Sequence, residues 1–156
     1  MSIALIDKLS DSIGVASKLY NKLVIVITDN NSDRSKLLSG ISKRFQAPLI
    51  NINAELSRLL LDLTNRQRML QLPQILSKMI ANSNSKTVVL DNIEILFDVS
   101  LQQDPIRLLK DLSRDLTIIT GWVGKVKNNC ISYAIPEHPE FHQYTIHDFL
   151  LVSETS

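Results

Sequence analysis

The residues Thr28-Asp29-Asn30-Asn31-Ser32-Asp33-Arg34-Ser35 lie between a short aliphatic run and a stretch of helical periodicity, a placement suited to holding phosphate. Loops of that kind read G-x-x-x-x-G-K-[ST]: backbone amides wrap the phosphates, the lysine neutralises them, and the hydroxyl holds magnesium. Here neither glycine is present, Arg34 stands in the lysine's place, and only the hydroxyl of Ser35 matches. Asn31, Ser32, Asp33, Arg34 and Ser35 are therefore the candidate ATP contacts of an altered loop. A second feature keeps closer to rule. Val88-Val89-Leu90-Asp91 is an aliphatic run ending on an acid, and Asp91 with Ser35 would hold the magnesium of a nucleotide. Asn92 follows, where a glutamate would activate water; an amide cannot accept that proton at neutral pH, which leaves Glu94 as the candidate base. Arg114, between a helix and a strand, is a candidate arginine finger for a neighbouring subunit, and Thr120, at a strand end, a candidate sensor of the terminal phosphate.

Each of these residues also has a plainer reading. Asp91 serves as a strand-end cap, Arg34 and Ser35 as the solvated first turn of a helix, and Arg114 as an exposed salt-bridging arginine. Charge weighs against nucleotide binding. A carboxylate at Asp33, about 5 Å from a phosphate oxygen at an effective dielectric of about 20, costs roughly 3 kcal/mol. That is about a hundredfold in affinity. Asn30 and Asn31 tolerate left-handed backbone angles, so loss of glycine alone is less serious. Arg34 is expected to pair with Asp33 or Asp91 and so close the site from within.

The elements that would position these groups follow from periodicity. Ile6, Leu9, Ile13, Ala16 and Tyr20 recur at intervals of three and four and predict an amphipathic helix. Leu23-Val24-Ile25-Val26-Ile27 predicts a strand buried on both faces. Leu37, Leu38, Ile41 and Phe45 predict a helix, and residues 48–52 a second strand. Leu56, Leu59, Leu60 and Leu63 form one helical stripe. Ile75, Leu76, Met79 and Ile80 form another, read as starting after Pro73 and separated from the first by polar residues 64–68. Thr87 to Asp91 is a third strand, Asp104-Pro105 caps a further helix, and Thr117-Ile118-Ile119-Thr120 is a fourth strand. Residues 122–133 predict a hairpin turning at Asn128-Asn129, with Tyr144-Thr145-Ile146 as one more strand. Alternating strands and helices imply a three-layer α/β fold with a mostly parallel sheet of about five strands, flanking helices and a small C-terminal hairpin.

Composition narrows the function classes. The chain has 156 residues, 44% hydrophobic and 21% charged, which suits one domain, 1–156. With a net charge of +1, no global field points to nucleic acid or membrane. The basic pairs Arg66 with Arg68 and Lys125 with Lys127 are small beside the footprint of a dedicated DNA binder. A single cysteine, Cys130, excludes an intramolecular disulfide, and neither a membrane span nor a signal peptide is evident. A cytoplasmic protein is expected.

The chain resembles the BrxF family, the small P-loop proteins of type III bacteriophage exclusion (BREX) systems. The resemblance covers most of the length. It rests on Asn51-Ile52-Asn53-Ala54-Glu55-Leu56-Ser57-Arg58-Leu59-Leu60, on Val89-Leu90-Asp91-Asn92-Ile93-Glu94-Ile95-Leu96-Phe97-Asp98, on Gln103-Asp104-Pro105-Ile106-Arg107-Leu108-Leu109 with Leu112-Ser113-Arg114, and on Glu137-His138-Pro139-Glu140. It implies a P-loop NTPase-like fold in an antiphage defence system that also holds a large ATPase, a DNA methyltransferase and a PglZ-type protein. Members usually keep a glycine-rich loop ending in Gly-Lys-Thr or Gly-Lys-Ser, and this chain departs there. The expected role is assembly, with itself or with other BREX proteins, around a degenerate nucleotide site. The alternatives are a working ATPase using Mg-ATP, and a DNA-contacting adaptor.

Overall fold

The computed structural model describes residues 3–133, 142–146 and 148–153. Five parallel strands form the central sheet, in the order β2-β3-β4-β1-β8: β1 Leu23–Ile27, β2 Leu49–Asn51, β3 Thr87–Asp91, β4 Thr117–Gly121 and β8 Leu150–Ser153. Helices α1 (Ile3–Ala16), α2 (Asn31–Phe45), α3 (Ile52–Leu60), α4 (Asn65–Ala81) and α5 (Pro105–Leu112) flank it. Two 3₁₀ turns, Glu94–Phe97 and Val99–Leu101, follow β3.

Strand order explains the layering. From β1 the chain crosses to the far edge at β2 and then steps back through β3 to β4. Right-handed crossovers running in opposite directions must lie on opposite faces of the sheet. Accordingly α1 and α2 pack on Val24, Val26, Val89, Ile119 and Val152, while α3, α4 and α5 cover Leu23, Ile25, Val88, Leu90 and Ile118. β1 and β4 are buried along their whole length, which accounts for the unbroken aliphatic run of β1 and the Ile118-Ile119 centre of β4. β2 is the exposed edge.

Local chemistry sets the helix ends. Asn51 caps α3 by accepting from the Ala54 amide at 3.0 Å, and Asp104 caps α5 with Pro105 in its first turn. The helix expected to begin after Pro73 begins instead at Asn65, where Thr64 and Gln67 form a reciprocal capping box. Pro73 therefore sits inside α4 and removes the hydrogen bond to the Met69 carbonyl four residues back. Gln103 repairs the loss, its Nε2 donating to that carbonyl at 2.8 Å. α1 ends at Ala16, short of Tyr20, which is exposed.

The predicted hairpin is one part of a three-stranded antiparallel sheet of β5 (Lys125–Lys127), β6 (Cys130–Tyr133) and β7 (His142–Thr145). Asn128 and Asn129 both take positive φ, 51° and 61°, as a two-residue turn requires when its twist must match the strands. Trp122 fastens this sheet to the core, donating to the Ser132 carbonyl and meeting Phe97, Tyr133 and Tyr144 edge-on. Phe97 and Tyr133 stack at 3.8 Å. The fifth strand of the main sheet, β8, has no counterpart among the strands predicted. Glu137, His138, Pro139 and Glu140 lie outside the described residues.

Candidate functional site

In open α/β sheets ligands bind beyond the carboxyl ends of the strands, where successive connections leave for opposite faces. β1 leads to α2 on one face and β3 to α5 on the other, so the ends of β1, β3 and β4 frame such a place. The structure brings Arg34, Ser35, Asp91 and Asn92 together there.

The loop after β1 is shorter than the sequence pattern suggests. Only Thr28, Asp29 and Asn30 precede α2, and residues 31–35, expected to wrap phosphate, are helical. Asn30 causes this early start. Its Oδ1 accepts from the Asp33 amide at 2.8 Å, its Nδ2 donates to the Asp33 carboxylate at 3.1 Å, and its carbonyl accepts from the Arg34 amide. Two amides that would point at a phosphate are thus already engaged. Asn31, Ser32 and Asp33 form the first turn of a self-capped helix, and Asp33 favours that turn through the helix dipole.

Of the two partners open to Arg34, the structure selects Asp91. Arg34 Nε donates to Asp91 Oδ1 at 2.7 Å, in a site where the residues are 4% and 7% exposed. Nη1 donates to Asn31 Oδ1 at 2.8 Å and Nη2 to Asn92 Oδ1 at 3.3 Å. Asp91 Oδ1 also accepts from the Asn92 amide at 2.9 Å, and Ser35 Oγ donates to Oδ2 at 3.4 Å. Asn92 holds φ at 54°, a left-handed angle that asparagine adopts more readily than most residues. Its carbonyl accepts from the Asn53 amide, tying the site to α3.

Gly121 makes room for this arrangement. A Cβ there would fall 2.6 Å from Arg34 Cδ and 2.9 Å from Asp91 Oδ1. The signal was available in sequence, since an isolated glycine at the end of a strand marks a close approach. Asn31 and Asn92 as guanidinium acceptors had no such signal.

Thr120 and Arg114 take positions other than those expected. Thr120 alternates with Ile119 along β4 and so faces the opposite side of the sheet from Arg34; it is fully buried, with its hydroxyl on the Gly121 carbonyl at 3.0 Å. It is not a sensor facing the loop. Arg114 precedes β4 and sits beside Lys22, whose Nζ donates to the Arg114 carbonyl. It lies at the amino edge of the sheet, one strand length or roughly 16 Å from the edge that carries Asp91. There it pairs with Asp111 at 3.3 Å and covers the ring of Tyr20. A groove of about 800 Å³ opens at that amino edge, lined in part by Tyr20, Lys110, Arg114 and Phe149, and is separate from the Arg34 site. Glu94 is half-buried and opens the first 3₁₀ turn after β3.

Beside the loop, a cleft of about 320 Å³ runs between Thr28 and Asp29 on one side and Gly124, Lys125 and Val126 on the other. No cluster of three or more potential metal ligands occurs among the described residues, and no helix among them is long and apolar enough to cross a membrane. Comparison with protein-family models, curated proteins and solved structures finds no match to the chain.

Proposed function

We propose that the chain is a nucleotide-independent component of a bacteriophage exclusion system: a P-loop-type scaffold whose phosphate site is filled by its own arginine. Its work is then assembly, with other proteins of the system or with copies of itself. One observation carries the reading, the buried 2.7 Å bond from Arg34 to Asp91. A magnesium ion drawn to Asp91 would bring a second cation onto a carboxylate that the guanidinium already neutralises, so nucleotide binding works against a buried pair. Breaking such pairs costs about 3–5 kcal/mol. That lowers affinity at least about a hundredfold. The engaged amides at Asp33 and Arg34 act in the same direction. The P-loop-type reading is supported by the all-parallel sheet, the helix after β1 and the acid ending β3. The pathway reading is supported by the sequence of residues 51–60 and 89–98.

Thermal melting with and without millimolar Mg-ATP tests the proposal. A ligand that binds only the folded state at a hundred times its Kd adds about 2.7 kcal/mol. For a domain of this size that is a shift of several degrees. The native protein is expected to stay unmoved, and Asp33→Gly with Arg34→Lys to gain such a shift. A native shift that Arg34→Ala abolishes overturns the proposal, and points to a working ATPase whose base is to be sought at Glu94.

A further inference from the structure

Charge is not spread evenly over this chain. Residues 63–90 contain no aspartate or glutamate, and their four ionised side chains, Arg66, Arg68, Lys78 and Lys86, are all cations. The remaining 128 residues carry 13 cations against 16 acids and are net negative. A net charge of +1 therefore conceals a local charge of +4, most of it on α4.

The fold puts that charge outside. Ten of the seventeen residues of α4 are exposed and only Leu72, Leu76 and Ile80 are buried, so the helix stands proud of the sheet on a narrow apolar seam. None of the four cations makes an ion pair among the described residues, a state they share with other surface lysines; what sets them apart is that no acid stands between them in the sequence. Arg68 directs its guanidinium to the neutral carbonyls of Leu61 and Leu63, not to an acid. The acids that bound this run along the chain are Asp62, in the turn before α4, and Asp91, which is buried and paired with Arg34. Between Arg66 and Lys78 the outward face offers the amides of Gln71 and Gln74 and the exposed Leu70.

We infer that the outer face of α4 contacts duplex DNA. The inference is independent of the reading of the Arg34 site. Unpaired cations without intervening acid suit a phosphate backbone, which repels every carboxylate brought near it. Glutamine and an apolar side chain between them suit base edges and thymine methyl groups. A helix of this kind fits the major groove of B-DNA, and the narrow major groove of RNA excludes it.

The test is fluorescence anisotropy of a short labelled DNA duplex with the full chain over a salt series. Neutralising three phosphates, one for each cation of α4, gives a slope of log K against log salt of about −2.7. Arg66→Gln with Lys78→Gln, both exposed and replaced by a good helix former, should reduce the slope by about 2. Lys125→Gln with Lys127→Gln, the other basic pair, should leave it unchanged. The inference fails if no binding occurs at low salt, or if the slope responds to the Lys125 and Lys127 variant instead. It also fails if polyglutamate displaces the duplex as readily as unlabelled duplex does, which assigns the face to an acidic protein. Equal competition by double-stranded RNA overturns the groove assignment as well.

Discussion

A Cβ placed on Gly121 would stand 2.6 Å from the Cδ of Arg34, so the end of β4 and the arginine of α2 are in contact with no room to spare. Leu38 closes the third side at 3.0 Å. Gly121→Ala is therefore expected to destabilise the fold by about 1–3 kcal/mol, the usual range for overpacking a filled site. In an Arg34→Ala background the same change should cost much less, because the obstructing methylene is gone. Urea denaturation of the four proteins measures both, and equal costs in the two backgrounds would show that Arg34 does not fill that space.

The Arg34–Asp91 pair is expected to behave as a buried pair. Arg34→Met or Asp91→Leu alone leaves an unpartnered charge in a buried site and should cost about 3–5 kcal/mol. The double variant should recover most of that loss, since neither charge remains. Strict additivity in the double-mutant cycle would mean that the two residues act separately.

Pro73 and Gln103 should be coupled through a carbonyl that belongs to neither. With proline at 73, Gln103→Ala strands the Met69 carbonyl and should cost about 1 kcal/mol. In Pro73→Ala the new amide reaches that carbonyl, and Gln103→Ala should cost less, losing only the bond to the Leu101 carbonyl. A coupling energy near zero from chemical denaturation would remove Gln103 from this role.

Burial, reinforced by the Asp104 carboxylate and a hydrogen bond to it, pushes the Tyr144 hydroxyl well above its ordinary value of 10.0. Folded Tyr144 then keeps its proton to higher pH than unfolded Tyr144 does. The stability it contributes is whole below about pH 10 and is lost as pH rises from there toward the raised folded value. Tyr144→Phe should flatten the alkaline fall in stability, followed by urea melts from about pH 9 to about pH 11. An unchanged fall would place the effect on another group.

The strands β1, β3 and β4 were legible because burial on both faces leaves consecutive aliphatic, mostly β-branched residues, five in β1, three in β3 and two between threonines in β4. β8 was not, because Leu150–Ser153 is a strand only by virtue of its partner β1, far away in sequence. Pro73 drew the expected start of α4 past itself, although the helix begins at Asn65, since proline marks a first turn more often than an interior, while the Thr64 and Gln67 box was legible and decisive. At the site, the chemistry of Arg34 and Asp91 could be read from spacing, and the choice of Asp91 over Asp33 could not. That choice is made by Gly121, whose missing side chain lets the guanidinium lie against β4, and by Asn30, which takes up Asp33.

The pairing of β1 with β8 sets a schedule for synthesis. β1 meets β4 through Leu23 and Ile118 and meets β8 through Val24 and Leu150, partners 126 positions apart. A growing chain that has emerged only through β4 presents β1 as an open edge, lined by the most apolar pentapeptide in the protein. Such an edge recruits other nascent chains. Any chain cut short between residues 121 and 150 and freed from the ribosome thus has four strands in place and its aggregation-prone border uncovered. Chaperone demand should be highest for truncations that end in that interval.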